Sequence, residues 1–126
     1  KNRGIKRVVY NLNLRILKLG EHLIIFLPGE PLAKLGQNIK ESIVKKSRQT
    51  LRQTREPRVI SQPISPDDIW IVGYADDYLG YLPHREAYRR FSYEVNQAYR
   101  YYDLPAAPGE QLEDIVIKNI IDMLKL

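Results

Sequence analysis

Glu30 is the residue with the clearest chemical opportunity in this 126-residue chain. It stands in Phe26-Leu27-Pro28-Gly29-Glu30-Pro31, where an apolar run stops at a Pro-Gly pair and Pro31 is placed to start a helix. Strand ends that become helix starts are where α/β proteins commonly place ligand-binding groups. Two readings of Glu30 are open. It is a metal-ligating or catalytic carboxylate, or a charge that favours a helix N-terminus by about 0.3–1 kcal/mol. Pro28-Gly29 speaks for the first, because a plain helix start needs no such tightly fixed backbone. Tyrosines form a second constellation, for all of the nine except Tyr10 lie from Tyr74 onward. A phenolate can ligate a metal, and a neutral phenol can donate a hydrogen bond to a developing oxyanion. Tyr78 and Tyr81 sit in a loop after a strand, where functional and packing roles are equally open. Tyr88, Tyr99 and Tyr102 read as packing.

Other groups point to blander roles. Asp76-Asp77 is a turn-favouring pair more than a divalent-cation site. His22 and His84 are the two histidines, and neither has a second His or Cys at ligand spacing. Zero cysteines exclude disulfides, thiolate metal sites and a cysteine nucleophile, and leave the compartment open. No Gly-rich phosphate loop, nucleophile elbow or HExxH pattern is present. The net charge of +5 is concentrated in Lys45, Lys46, Arg48, Arg52, Arg55 and Arg58. That stretch has no interleaved aromatics for stacking on single-stranded nucleic acid, so nucleic acid is not favoured. It leaves an anionic membrane surface as a partner class.

The elements that must position these groups follow from hydrophobic period. Val8 to Leu17 alternates as a strand through Leu12, Leu14 and Ile16. A turn around Gly20 returns the chain through Leu23–Leu27, whose unbroken apolar run predicts a central strand buried on both faces. Pro31 then opens a helix with Leu32, Leu35, Ile39 and Ile43 on one side, fading near Ser47. Residues 45–68 read as a long, solvated, basic loop carrying Pro57, Pro63 and Pro66. Ile69–Tyr74 is a third strand. From Arg85 a helical stripe runs through Tyr88, Phe91, Val95, Ala98 and Tyr102, and Gln111–Leu126 is a last amphipathic helix contacting through Leu112, Ile115, Ile120, Met123 and Leu124. The expectation is one α/β domain over 1–126, a layered sheet with a β-hairpin and packed helices in the order β-β-α-loop-β-loop-α-α.

Leu27-Pro28-Gly29-Glu30-Pro31, followed by Leu35-Gly36 and Ile39-Lys40, is one ordered motif. Val72-Gly73-Tyr74-Ala75-Asp76-Asp77-Tyr78-Leu79-Gly80-Tyr81-Leu82-Pro83, with Arg85-Glu86-Ala87-Tyr88 and Tyr93-Glu94 behind it, is another. With Pro108-Gly109-Glu110 near the last helix, they resemble the C-terminal part of the catalytic domain of the neutral/alkaline non-lysosomal ceramidases, over roughly Leu12 to Leu124. The resemblance implies a zinc-dependent amidase that cleaves the N-acyl bond of a ceramide-like lipid with metal-activated water. It implies Glu30 as carboxylate ligand, Tyr81 as tyrosine ligand with Tyr78 as its rival, and Tyr93 as an active-site tyrosine facing the substrate carbonyl. Two histidine ligands would come from an upstream segment, to which His22 and His84 do not correspond. This chain would then hold half of the zinc site and bind the metal weakly alone. Asp76, Arg90-Phe91-Ser92 and the length of the basic stretch depart from the family's usual pattern. A non-catalytic α/β domain that binds an anionic partner through the basic stretch is the other reading.

Overall fold

The computed structural model describes residues 8–53 and 59–126. A hairpin opens the architecture. β1 (Arg15–Leu19) and β2 (His22–Phe26) pair antiparallel, with Leu19 opposite His22 across a turn in which Gly20 has φ +59°. β2 then pairs in parallel with β4 (Ile69–Val72), so β2 is the central strand of the order β1-β2-β4. A parallel pair requires a long crossover. Here the crossover contains α1 (Ala33–Gln53).

One sheet face carries the core. Leu23 and Ile25 of β2 and Ile69 of β4 are buried against Leu35, Ile39 and Ile43 of α1 and Val116, Ile120 and Leu124 of the C-terminal region. The last helix, α4 (Leu112–Met123), buries the i, i+4 stripe Leu112-Val116-Ile120, while Ile115 and Met123, expected as contacts, are exposed. The opposite sheet face is open among the described residues. Leu17, Leu19, Trp70 and Val72 are exposed there, and Ile24 and Phe26 only partly covered. β2 is therefore central but buried on one face only, through Leu23 and Ile25, against the expectation of burial on both faces.

Three further differences have physical causes. First, α1 runs to Gln53 and does not fade near Ser47. Its buried stripe continues through Ser47 and Thr50, small polar residues that carry no hydrophobic signal; the Ser47 hydroxyl is satisfied by donating to the Val44 carbonyl at 2.9 Å. Lys45, Lys46, Arg48 and Arg52 are good helix formers on the solvent side of that turn. Residues 45–53 are thus helix, Ile60 and Ile64 of the supposed loop enter the core, and residues 66–68 form a 3-10 turn capped by Ser65. Arg55, Pro57 and Arg58 lie outside the described residues. Second, Pro31 does not start α1. Glu30–Pro31 is a short strand, β3, paired in parallel with β5 (Tyr81–Leu82). The N–H groups of Glu30 and Leu32 donate to Gly80 and Leu82, and an extended residue between them needs no donor on that side, which admits proline. Third, the stripe from Arg85 is not one helix. It is α2 (Arg85–Arg89), α3 (Tyr93–Asn96) and a 3-10 turn over 98–102, broken at Phe91, which is exposed with φ +48°.

α2 is tied to the approach to α4 by the half-buried Tyr88, whose hydroxyl lies 2.7 Å from the Pro108 carbonyl and 3.0 Å from that of Gly109. Burial, helped by Glu110, pushes the Tyr88 phenol from 10.0 up to about 12. A raised phenol favours the protonated native state, so its contribution is complete below pH 10. It declines between pH 10 and 12, where the unfolded chain has lost the proton and the native state still holds it. The stability difference between wild type and Tyr88→Phe, measured by urea unfolding, is expected to shrink by about 1–2 kcal/mol across that window, after allowing for solvent at the ring.

Candidate functional site

The Pro-Gly-Glu-Pro segment is stitched on both sides. Leu27 donates to Val72 at 2.8 Å and Ala75 donates back to Leu27 at 3.0 Å. Leu79 donates to Pro28 at 3.0 Å, Tyr74 to Gly29 at 2.8 Å, and Glu30 to Gly80 at 2.8 Å. Each bond joins the first motif to the segment leaving β4. Gly29 is required by this closeness, since a Cβ there would sit 2.5 Å from the Gly80 carbonyl oxygen and 3.1 Å from Leu82.

Glu30 and Tyr81 are direct partners in the β3–β5 ladder, so their side chains project to the same face. Glu30 lies in β3, ahead of the first turn of α1, which begins at Ala33. Its carboxylate accepts a hydrogen bond at Oε2 from the Tyr74 hydroxyl. Around this pair the phenol rings form a continuous fan. Tyr74 stacks on Tyr78 (centroids 5.3 Å apart) and Tyr78 packs on Tyr102 (5.1 Å). Tyr102 meets Tyr81 edge-on (6.1 Å), Tyr81 meets Tyr93 edge-on (6.5 Å), and Tyr93 reaches Tyr101 (6.4 Å). Tyr78, Tyr93 and Tyr101 are largely exposed, so the fan is a surface and not a core.

The electrostatics hold these phenols neutral. Tyr74 is raised well above the ordinary phenol value, first by its hydrogen bond to Glu30, then by burial and Tyr102. Tyr81 is raised chiefly by the Glu30 charge, with smaller contributions from burial, Tyr102, Tyr93 and Glu94. Tyr78 is raised first by burial, then by Tyr102, and least by Glu30. Protonated phenols donate hydrogen bonds to oxygen and keep a lone pair for a cation.

Glu30, Tyr81, Tyr78 and Tyr93, singled out from sequence, therefore share one patch. Asp76 and Asp77 do not join it as ligands. Asp76 pairs with Arg15 at 2.9 Å with its own φ at +67°, and Asp77 accepts from the Tyr78 N–H at 2.7 Å as a turn residue. His22 stacks on Trp70 and faces Asp68 at 3.6 Å, beside the start of β4, away from the Glu30 end. Among the described residues no three His, Cys, Asp or Glu side chains gather as a metal cluster. Sequence reasoning missed Tyr74 and assigned Tyr102 to packing alone. The available signal was position: Tyr74 lies just beyond the carboxyl end of β4, as Glu30 lies beyond that of its parallel partner β2.

No family model matches the chain, and no curated protein or solved structure matches it either.

Gly29→Ala should destabilise the chain by about 1–3 kcal/mol, the usual effect of forced overpacking. Urea unfolding of the purified variant measures it. A stability within 0.3 kcal/mol of wild type, on the order of measurement error, would contradict the close approach of Gly29 to Gly80.

Proposed function

We propose that this chain supplies the carboxylate-and-tyrosine half of a zinc-dependent amidase site of the neutral ceramidase kind, acting on an N-acyl amide such as a ceramide-like lipid. The observation that carries the reading is the ladder register of Glu30 with Tyr81, with Tyr93 edge-on beside Tyr81. The donor set fits half of a zinc site: one carboxylate and a neighbouring phenol, both hard oxygen donors that zinc accepts alongside imidazole nitrogen. Glu30 and Tyr81 would hold the metal. Tyr81 is preferred to Tyr78, which reaches the carboxylate only through the Tyr74 ring. The two remaining ligands would be histidines from an upstream segment of the same polypeptide.

When bound, zinc supplies a water acidic enough to act as hydroxide near neutral pH and polarises the amide carbonyl. This chain's residues do the rest. Glu30 holds its negative charge towards the metal position. Tyr93, exposed and adjacent to Tyr81, donates its hydroxyl hydrogen to the substrate carbonyl oxygen as negative charge develops there. The exposed tyrosine fan offers amphipathic surface to a substrate that is part lipid and part polar.

A second reading has its own observation. Lys45, Lys46, Arg48 and Arg52 are exposed on α1, and none of them takes part in an ion pair among the described residues. A non-catalytic domain docking these cations on an anionic lipid surface would bind in a salt-sensitive way.

The isolated chain should bind zinc weakly in equilibrium dialysis; tight one-to-one binding with amidase activity would overturn the half-site. In a polypeptide that also carries the histidine-bearing segment, Glu30→Ala should lower zinc-dependent amide hydrolysis by more than the roughly 10–100-fold that loss of a supporting hydrogen bond costs. Retained activity would remove Glu30 from the ligand set and leave the anionic-surface reading standing.

A further inference from the structure

Tyr74 holds Glu30 in a way that the ligand assignment alone does not require. Its backbone lies at φ +53°, a left-handed conformation that costs a residue with a side chain about 1–2 kcal/mol. A residue persists there only when its surroundings over-determine it. At Tyr74 they do. The Tyr74 N–H donates to the Gly29 carbonyl at 2.8 Å, and the next N–H, of Ala75, donates to Leu27 at 3.0 Å. The preceding Gly73 lies so close to the Pro-Gly-Glu-Pro segment that a Cβ would fall 2.8 Å from Pro31 Cδ and 2.9 Å from the Gly29 carbonyl oxygen. Pinned on both sides, the left-handed turn places the ring against Tyr78 and the hydroxyl on Glu30 Oε2. Among the described residues Tyr74 is the one hydrogen-bond partner of this carboxylate.

We infer that Tyr74 is the positioning residue of the site: it clamps Glu30 through Oε2 and presents Oε1 alone, as a one-oxygen ligand, to the cation. The inference rests on the zinc reading of Glu30 and deepens it. A carboxylate with both oxygens free can swing, or chelate through both. One oxygen held by a phenol restrains the carboxylate plane and leaves Oε1 as the unengaged donor atom. Hydrogen bonds of this kind orient metal-ligating carboxylates, and their loss typically costs 10–100-fold in metal affinity.

The test is a zinc chloride titration of the 126-residue chain, read by the side-chain carboxyl carbon signal of Glu30 and by the Tyr74 hydroxyl proton. In wild type, the Glu30 signal should move with zinc while the Tyr74 hydroxyl proton stays, because the metal takes Oε1 and leaves Oε2 clamped. In Tyr74→Phe, which keeps the ring stack and both backbone hydrogen bonds, the zinc dissociation constant at Glu30 should rise about 10-fold or more. Tyr88→Phe should leave it unchanged. If the Glu30 signal ignores zinc in wild type, the zinc reading falls and this inference with it. If wild type responds and Tyr74→Phe binds equally well, only the positioning role falls. Loss of the hydroxyl proton on adding zinc to wild type would likewise show that the metal displaces Tyr74, which overturns the clamp without relying on any variant.

Discussion

The parallel pairing of β2 with β4 is the constraint from which the site follows. Two parallel strands end at the same edge of a sheet, so whatever follows each of them is delivered to one place. After β2 comes Leu27-Pro28-Gly29-Glu30-Pro31, and after β4 comes Gly73-Tyr74 and the tyrosine loop. The two segments keep exchanging backbone hydrogen bonds beyond the last ladder pair, from Leu27 with Val72 out to Leu32 with Leu82. This extension is what turns two remote motifs into one surface. Had the strands been antiparallel, Glu30 and Tyr74 would lie at opposite ends of the sheet.

The same geometry explains which parts of the chain were legible in its sequence. The hairpin, the central place of Leu23–Phe26 and the crossover helix were all legible, because each is announced by apolar period and a turn residue. Elements whose cause is not local were not. The β3–β5 ladder is two residues on each side, too short for any periodic signal, and it exists because Gly29 lets the backbones meet, while Gly80 turns at φ +70° and leaves room for the Tyr102 ring. The last turns of α1 are set by helix propensity with Ser47 and Thr50 facing inward, a pattern that looks like loop when judged by hydrophobicity. The stripe from Tyr88 to Tyr102 has helical spacing, yet the backbone reverses hand at Phe91. That break lets Tyr93 and Tyr102 both reach Tyr81.

Electrostatics give the patch a character opposite to that of the chain. The chain carries a formal charge of +5, yet Glu30 raises the phenols of Tyr74, Tyr78 and Tyr81, and Glu94 adds a smaller push on Tyr81. The nearest basic side chains are engaged by other groups: Arg15 by Asp76, Arg85 by Asp114, and Arg100 by the Tyr99 hydroxyl and ring, while the cations of α1 are solvated. A carboxylate among neutral phenols, with no cation beside it among the described residues, is an incomplete charge arrangement. Under the proposed reading a bound cation would complete it, and this asymmetry is what favours a metal over an anionic ligand at Glu30 in that reading.

The open side of the sheet bears on the same question from packing. Leu17, Leu19, Trp70 and Val72 are exposed apolar residues on strands whose other face packs Leu23, Ile25 and Ile69 into the core. Large exposed apolar surfaces of this kind mark contact with another protein, a membrane or a ligand. In the proposed reading, the segment that brings the two histidines must approach the Glu30 edge. Covering the open sheet face would anchor such a segment next to that edge, because Val72 and Phe26 on the open face directly precede the residues that reach Tyr74 and Glu30. Under that reading the exposed tyrosines and the exposed strand residues would be one requirement expressed twice. A half-site that must be completed by other protein needs both free ligand groups at its edge and free apolar surface beside them.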